Sequence, residues 1–254
     1  MIDLKDIQVT FGENTPLETK ALKGIDLHIE AGEFVTVIGG NGSGKSTLLN
    51  ILSGDVIPNQ GSIHIDQENI THHSVAERAA LIARVFQDPL AGSCAQLSIA
   101  ENMSLALRRG RKNTLKSAYQ AENFVFFQQQ LARLSLGLEN RLHDQMGLLS
   151  GGQRQAISLL MSALQPAKLL LLDEHTAALD PKTAAFVMRL SNEIIQQGAL
   201  TTLMVTHSMQ QALSVGSRTI MLMEGQIILD VSGQERQKLS THDLLNLFEE
   251  SYEL

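Results

Sequence analysis

Apolar and polar residues alternate with a period of two early in the chain, which is typical of β-strands with one solvated face. The clearest run places Ile25, Leu27 and Ile29 between polar neighbours. The next segment, EFVTVIGG, leaves little polar face and predicts a buried strand. LLNILSG then predicts a helix that ends near Gly54. The pattern therefore predicts a strand, a turn and a helix in direct succession.

Two more apolar runs, KLLLLDE and TTLMVTH, predict buried parallel strands in the second half of the chain. The segment between them predicts a helix with Asp180 as N-cap, Pro181 at its first position and Gly198 at its end. Strands that alternate with helices are typical of a doubly wound sheet, whose ligands lie at the carboxyl ends of the strands. GSIHID and TIMLMEGQIIL predict additional antiparallel strands.

Residues 91–165 differ from their surroundings, because buried-strand patterns are missing and ENMSLALRR and AENFVFFQQQLARL have helical apolar spacing. We therefore predict one α/β domain over residues 1–254. Its core comprises residues 1–90 and 166–254, with a mainly parallel sheet and an antiparallel β subdomain. Residues 91–165 form an inserted α-helical subdomain. A short amphipathic helix near the end is capped by Ser240 or Thr241.

Charge and composition narrow the function classes. The net charge of −7 and the pI of about 5.6 argue against a protein whose main function is to bind nucleic acid. A basic run at Arg108, Arg109, Arg111 and Lys112 is interpreted as a solvated helix end. A single cysteine, Cys94, excludes an intrachain disulfide. We therefore expect no nucleic-acid partner.

The opening segment MIDLKDIQVT alternates in polarity and lacks the apolar core of a signal peptide. No stretch approaches the roughly 18 apolar residues of a membrane span. We therefore expect a soluble protein that needs a partner for any work at a membrane.

The glycine-rich run from Gly39 to Ser46 matches G-x-x-x-x-G-K-[ST] between a predicted strand and a predicted helix. Such a loop binds phosphate through its backbone amides and the positive end of the helix that follows. In this pattern Lys45 reaches the β- and γ-phosphates, and the Ser46 hydroxyl ligates Mg²⁺. The candidate phosphate-binding residues are Gly39, Gly40, Asn41, Gly42, Ser43, Gly44, Lys45, Ser46 and Thr47.

Acidic and imidazole side chains follow the two later strands. Asp173 ends LLLLD and can hold Mg²⁺ through water, while Glu174 can orient or deprotonate attacking water. His207 follows TTLMVT and can hydrogen-bond a γ-phosphate. Taken alone, an acidic pair at the end of a strand is more often part of a solvated turn, and a lone histidine at the end of a strand is usually structural. A phosphate loop in the same chain favours the catalytic interpretation for the acidic pair.

The segment Leu149–Gln153 reads LSGGQ and starts a predicted helix. Ser150 and Gln153 have the spacing of a capping box. Gly151 and Gly152 occupy the first turn, although glycine disfavours a helix. An N-terminal turn without side chains leaves its amides uncovered, and uncovered amides attract anions. The segment therefore predicts a second phosphate site.

The segments GGNGSGKST, LLSGGQRQ, LLLLDEHTAALD and VTH, in this order, resemble the ATP-binding subunit of an ABC transporter. The closest likeness is to bacterial importer ATPases for amino-acid-like or uncharacterised ligands. This resemblance implies an ABC ATPase fold, built on a P-loop NTPase core, that binds ATP and Mg²⁺. It also implies that two cassettes close head-to-tail on two ATP molecules and reopen after hydrolysis.

The resemblance implies roles for matching residues. Glu174 is the catalytic carboxylate, His207 the switch histidine, and Gln87 in VFQDP the Q-loop residue that touches Mg²⁺ or the attacking water. Phe11 stacks on adenine, and Asp180 belongs to the D-loop. By the same resemblance, the γ-phosphate of the ATP bound to the opposing subunit is contacted by Ser150, Gly151, Gly152 and Gln153. The metal ligands are Ser46, Gln87 and Asp173.

The implied partners are a second copy of the chain or a paralogous ATPase subunit, transmembrane permease subunits and an extracytoplasmic substrate-binding protein. The implied location is the cytoplasmic face of the cell membrane. Three alternatives stay open: a soluble ABC ATPase of translation or DNA repair, an exporter or lipid-transport ATPase, and a nucleotide-gated switch without turnover. Zinc modules, long coiled coils and basic surfaces typical of the first are not apparent in the sequence. The departures from the family pattern are Gly40 and His175, each at a position where proline is common.

Overall fold

The computed structural model describes residues 1–111 and 120–250 and shows a mixed α/β architecture. The strands of the described part are numbered in chain order: β1 Ile2–Phe11, β2 Thr19–Ile29, β3 Phe34–Ile38, β4 Gln60–Ile65, β5 Glu68–Asn69, β6 Ile82–Val85, β7 Leu169–Asp173, β8 Thr202–Val205, β9 Arg218–Met223 and β10 Gln226–Ser232. The helices are α1 Lys45–Ser53, α2 Val75–Arg78, α3 Ile99–Ala106, α4 Phe124–Ala132, α5 Gly151–Ser162, α6 Pro181–Gly198, α7 Met209–Ser214, α8 Gly233–Lys238 and α9 Thr241–Glu250. Short 3₁₀ helices span Ala121–Asn123 and Met146–Leu148.

The chain forms two compact units. Unit 1 contains Met1–Arg78 and Leu200–Leu254, and unit 2 contains Ala79–Ala199. Unit 2 thus includes strands β6 and β7 beside the helices of the predicted insertion. The predicted subdomain limits at residues 90/91 and 165/166 stay a prediction.

An antiparallel sheet in unit 1 has the strand order β2-β1-β4-β5. Strand β1 pairs with β2 from Ile2 opposite Ile29 to Phe11 opposite Thr19. Along β2, Ile25, Leu27 and Ile29 are buried while the residues between them are exposed. The period-two prediction for this segment is therefore confirmed.

A second group of strands in unit 1 is centred on β3, which is parallel to both β8 and β9, and β10 runs antiparallel to β9. Every residue of β3 is buried, as its apolar sequence predicts. Helix α1 follows and ends at Ser53, with Gly54 in the left-handed conformation. The predicted β9–β10 hairpin and the predicted end of α1 are confirmed.

The side chain of Arg78 lies at the carboxyl end of α1 and is 0% exposed. It forms no ion pair within the described part of the chain. Its guanidinium donates to the carbonyl oxygens of Ile51 and Leu52 at the end of α1. It also donates to the carbonyl oxygens of Thr71 (2.8 Å) and His73 (3.1 Å). Burial lowers the pKa of Arg78. These carbonyl dipoles, including the negative end of α1, compensate the buried charge.

In unit 2, β6 and β7 pair in parallel, with Arg84 opposite Leu171 and Val85 opposite Leu172. Helix α6 confirms the predicted Asp180 cap and Pro181 start, but the left-handed residue after it is Ala199 rather than Gly198. The solvated-end interpretation is wrong for Arg109, whose Nη2 donates to the carbonyl oxygens of Ser162 (3.3 Å), Gln165 (2.7 Å) and Pro166 (3.4 Å).

Helix α9 is capped by Ser240, because the Asp243 amide donates to Ser240 Oγ at 3.2 Å. Leu244 of this helix packs on Ile38, Ala212 and Met221 of unit 1. In residues 1–111 and 120–250, none of the helices combines the length and apolar character that a membrane crossing requires. Lys112 of the basic run lies outside the described residues.

Candidate functional site

The glycine-rich loop after β3 needs glycine because of close backbone approaches within unit 1. Gly39 has φ +152°, and a Cβ there would lie 2.2 Å from the carbonyl oxygen of Leu222. Gly44 has φ +105°, and a Cβ there would lie 2.8 Å from the carbonyl oxygen of Ala21. Side chains at these positions would displace the loop. Both glycines therefore shape the turn that the phosphate-loop motif predicts.

Lys45 begins α1 and is 6% exposed. Its Nζ donates to the carbonyl oxygens of Gly39 (2.9 Å) and Gly40 (2.7 Å), so the ammonium is held over the loop. The N-cap Gly44 provides no side-chain hydrogen bond, and Ser46 in the first turn is exposed. Amides at such a helix start are available to an anion. Asn41 and Gly42 are exposed, Ser43 is buried and Thr47 is half-buried.

Two further predicted residues lie in unit 1. His207 is exposed and comes two residues after β8, beyond Thr206, whose amide donates to the Val37 carbonyl oxygen of β3 (3.1 Å). This bond continues the β3–β8 ladder to the residue before His207. Phe11 is the last residue of β1 and is 44% exposed, so the buried-hydrophobe role does not apply to it.

Asp173 is the last residue of β7 in unit 2 and is largely buried. One carboxylate oxygen, Oδ2, accepts a hydrogen bond from Arg84 Nη2 at 2.7 Å. The next residue, Glu174, has φ +43°, which is unusual for a residue with a side chain. Its carbonyl oxygen accepts from the Ala177 amide at 2.9 Å. A tight turn at the end of β7 therefore sets the direction of the Glu174 side chain.

His175 is 2% exposed, and its Nε2 lies 2.8 Å from Ser191 Oγ in α6. The Ser191 hydroxyl donates its only hydrogen to the Val187 carbonyl oxygen, so His175 Nε2 is the donor to Ser191. Burial lowers the pKa of His175 to about 4, which keeps the ring neutral at pH 7. His175 therefore ties the residue after Glu174 to α6.

The predicted capping box of the LSGGQ segment is confirmed. The Gln153 amide donates to Ser150 Oγ (3.3 Å), and the Ser150 amide donates to Gln153 Oε1 (3.1 Å). Gly151 has room for a methyl group, because its nearest neighbour would be 3.7 Å away. At Gly152, however, a Cβ would lie 2.1 Å from Thr183 Cγ2. Gly152 is thus also required by packing against α6.

Asp180 is exposed, and its Oδ1 accepts from the amides of Lys182 (3.2 Å) and Thr183 (3.1 Å). Bonding to Thr183 lowers the pKa of the Asp180 carboxyl. The N-cap prediction for Asp180 is confirmed, and its D-loop role stays a prediction.

Gln87 is exposed, and the residue before it is tied to α5. Gln155, which is fully buried, donates from Nε2 to the Phe86 carbonyl oxygen at 3.2 Å. Arg154 donates to the carbonyl oxygens of Gly147 (3.1 Å) and Leu149 (2.9 Å), immediately before the LSGGQ capping residue. Neither contact was predicted, because nothing in the local sequence signals these partners.

Comparison with known proteins decides the family. The ABC transporter family model matches residues 22–177, more than half of the chain. The chain belongs to the ABC transporter family. It is 42% identical over 251 residues, 98% of this chain and 99% of the relative, to a tyrosine transport ATP-binding protein of Clostridioides difficile. It is 35% identical to an aliphatic sulfonates import ATP-binding protein of Rhizobium johnstonii, over 91% of this chain and 76% of that protein.

A solved ABC cassette has the same fold. The dimeric MJ0796 cassette in a post-hydrolysis state, bound to ADP and Pi, matches with a TM-score of 0.77 and 29% identity, over 91% of this chain and 98% of that chain. The predicted fold class, an ABC ATPase with a P-loop NTPase core, is therefore confirmed. This ABC protein is the ATP-binding subunit of a transporter and an ATPase.

The predicted residues of this ABC subunit divide between the two units. Unit 1 contains Phe11, the loop from Gly39 to Thr47, and His207, whereas unit 2 contains Gln87, Asp173, Glu174, Asp180 and the LSGGQ segment. The oxygen donors of Ser46, Gln87 and Asp173 suit Mg²⁺, which prefers oxygen ligands. One of these oxygens, Asp173 Oδ2, accepts a hydrogen bond from Arg84 Nη2 at 2.7 Å.

Proposed function

We propose that this subunit powers import across the cell membrane, through ATP-driven head-to-tail closure of two cassettes. Import of an amino-acid-like solute is supported by 42% identity to a tyrosine transport ATP-binding protein over nearly the whole length of both chains. The name of the sulfonate relative points to import as well. In this proposal the cassette works at the cytoplasmic face, with permease subunits and an extracytoplasmic substrate-binding protein.

The observation that carries the dimer proposal is the start of α5. Ser150 is exposed, and the first turn of α5 begins with two glycines, which have no side chains. A helix start of this kind suits a phosphate group. The glycine-rich loop before α1 already supplies one phosphate site within the chain. The second phosphate site, at the start of α5, has a separate role if it binds the nucleotide held by a partner subunit. A twofold dimer then uses each motif once per ATP.

Each residue has a defined role in the proposed reaction. Glu174 takes a proton from the attacking water, and His207 donates to the γ-phosphate. Lys45 binds the β- and γ-phosphates, and Asp180 lies beside the dimer contact. The adenine ring stacks on Phe11. Ser46, Gln87 and Asp173 would hold Mg²⁺, which would neutralise the charge that develops on the phosphate.

Changing Ser150 to Arg tests the trans role. We expect monomeric protein to bind ATP normally, ATP-dependent dimers to be lost in size-exclusion chromatography, and phosphate release to fall by about a hundredfold, because donors to the γ-phosphate are lost. The matched control is Ser240→Arg. Ser240 is also an exposed N-cap, with Asp243 as the acidic partner of its capping box. Normal hydrolysis by the Ser150 variant would show that the trans role is wrong.

A permease contact is supported by an open cavity of about 760 Å³ within unit 2. Leu90 and Leu105 line it and are 39% and 53% exposed. Exposed apolar side chains at a cavity are typical of a protein contact. Leu105→Glu should abolish co-purification of the cassette with its membrane subunits and leave ATP-dependent dimerisation intact. Unchanged co-purification would place the permease contact elsewhere.

A further inference from the structure

Arg84 and Asp173 are brought together by the register of two parallel strands. Arg84 lies opposite Leu171, and Asp173 lies two residues beyond Leu171 on β7. Side chains two residues apart on a strand point to the same face. Arg84 Nη2 consequently reaches Asp173 Oδ2 at 2.7 Å. The pair is thus built into the pairing of β6 and β7.

The pair is well shielded from solvent. The side chains of Arg84 and Asp173 are 12% and 16% exposed. The guanidinium carbon of Arg84 also lies 4.8 Å from the centre of the Phe86 ring, within cation–π range. Both contacts restrict the guanidinium, and the low exposure weakens screening by salt. The arginine charge therefore lies directly against a largely buried carboxylate.

Two effects follow from this charge. Without a metal, the guanidinium stabilises an ionised carboxylate that would otherwise be largely buried without a counter-charge. With a divalent cation at Asp173, the same guanidinium repels it, because two positive charges then share one carboxylate. Arg84 therefore affects both the stability of the metal-free protein and the affinity of the protein for the metal.

We propose that Arg84 is a resident counter-ion of Asp173 that lowers the affinity of the nucleotide site for Mg²⁺, so that the metal is released more readily with the product. This inference rests on the proposed role of Asp173 as a metal ligand. Arg84 acts through Asp173 and is a positioning residue.

The test compares Arg84→Met with Arg84→Lys, which keeps the charge. The control is Arg141→Met, because Arg141 forms an ion pair with Asp144 at the same distance, 2.7 Å, away from the predicted metal ligands. Manganese binding is measured by electron paramagnetic resonance with a non-hydrolysable ATP analogue and MnCl₂. We expect Arg84→Met to bind Mn²⁺ about tenfold more tightly than wild type, and Arg84→Lys and Arg141→Met to bind it like wild type.

Thermal unfolding provides a second readout. Without metal, Arg84→Met should unfold at a lower temperature than wild type. Addition of MgCl₂ and the ATP analogue should raise its unfolding temperature more than that of wild type, because tighter binding adds more stability. In an Asp173→Asn background, Arg84→Met should no longer change Mn²⁺ affinity. Equal or weaker Mn²⁺ binding by Arg84→Met would overturn the counter-ion proposal alone. If the Asp173→Asn variant binds Mn²⁺ as tightly as wild type does, the metal role of Asp173 is overturned as well.

Discussion

Replacement of Glu174 by Gln should preserve ATP binding and reduce turnover by roughly 10²–10⁴-fold, the usual contribution of a general base. The change keeps the size and hydrogen-bonding shape of the side chain but removes the proton acceptor. The tight turn at Glu174, with φ +43°, is closed by a main-chain hydrogen bond from the Ala177 amide to the Glu174 carbonyl oxygen, which glutamine keeps. Folding should therefore be unaffected.

Phosphate release and size-exclusion chromatography check this prediction together. With ATP, the Glu174 variant should accumulate as a nucleotide-bound dimer, because closure precedes hydrolysis in the proposed cycle. Glu193→Gln is the matched control, since Glu193 is an exposed glutamate of α6 in the same unit. Undiminished turnover in the Glu174 variant would contradict the general-base role.

Replacement of Arg78 by Met should lower the free energy of unfolding by about 4 kcal/mol or more, since each buried acceptor left without a donor costs about 1–3 kcal/mol. The guanidinium is 0% exposed and donates to carbonyl oxygens at the end of α1 and in the segment before α2. Methionine fills similar space without a donor. Arg78→Lys should recover only part of the loss, because an ammonium lacks the spread of a guanidinium.

Urea denaturation followed by circular dichroism measures this loss. Arg111→Met serves as the control, because Arg111 is exposed and should change stability by less than about 0.5 kcal/mol. If the Arg78 and Arg111 variants have the same denaturation midpoint, the carbonyl cluster around Arg78 does not stabilise the fold.

Local features of the site were predictable from the sequence. The phosphate loop, the capping box of Ser150 and Gln153, and the Asp180 cap each depend on residues within a few positions of one another. Their geometry follows from short-range backbone chemistry, which the sequence states directly. The strand before α1 was predictable for a similar reason, since its burial on both sides leaves an apolar run.

Contacts between distant segments were not predictable. The pairing of Arg84 with Asp173 depends on the register of β6 and β7, which one sequence does not specify. Arg109 was interpreted as solvated, because its neighbours are basic, yet it donates to carbonyl oxygens beyond the end of α5. Its partners are more than fifty residues away along the chain.

The LSGGQ glycines show how one motif can combine two causes. The sequence interpretation assigned both glycines to phosphate approach. The Thr183 contact now gives Gly152 a packing reason of its own, whereas Gly151 has space for a side chain. Thr183 is also the residue whose amide bonds to Asp180, so the α6 start and the α5 start are packed together.

The exposed start of α5 has a consequence for genetics. In the proposed dimer, each catalytic site takes its phosphate loop from one chain and its LSGGQ segment from the other. An allele defective at Lys45 and an allele defective at Ser150 would each be inactive alone. In a mixed dimer, however, one site joins the intact phosphate loop of one product to the intact LSGGQ segment of the other. Two inactive alleles of this gene should therefore complement each other.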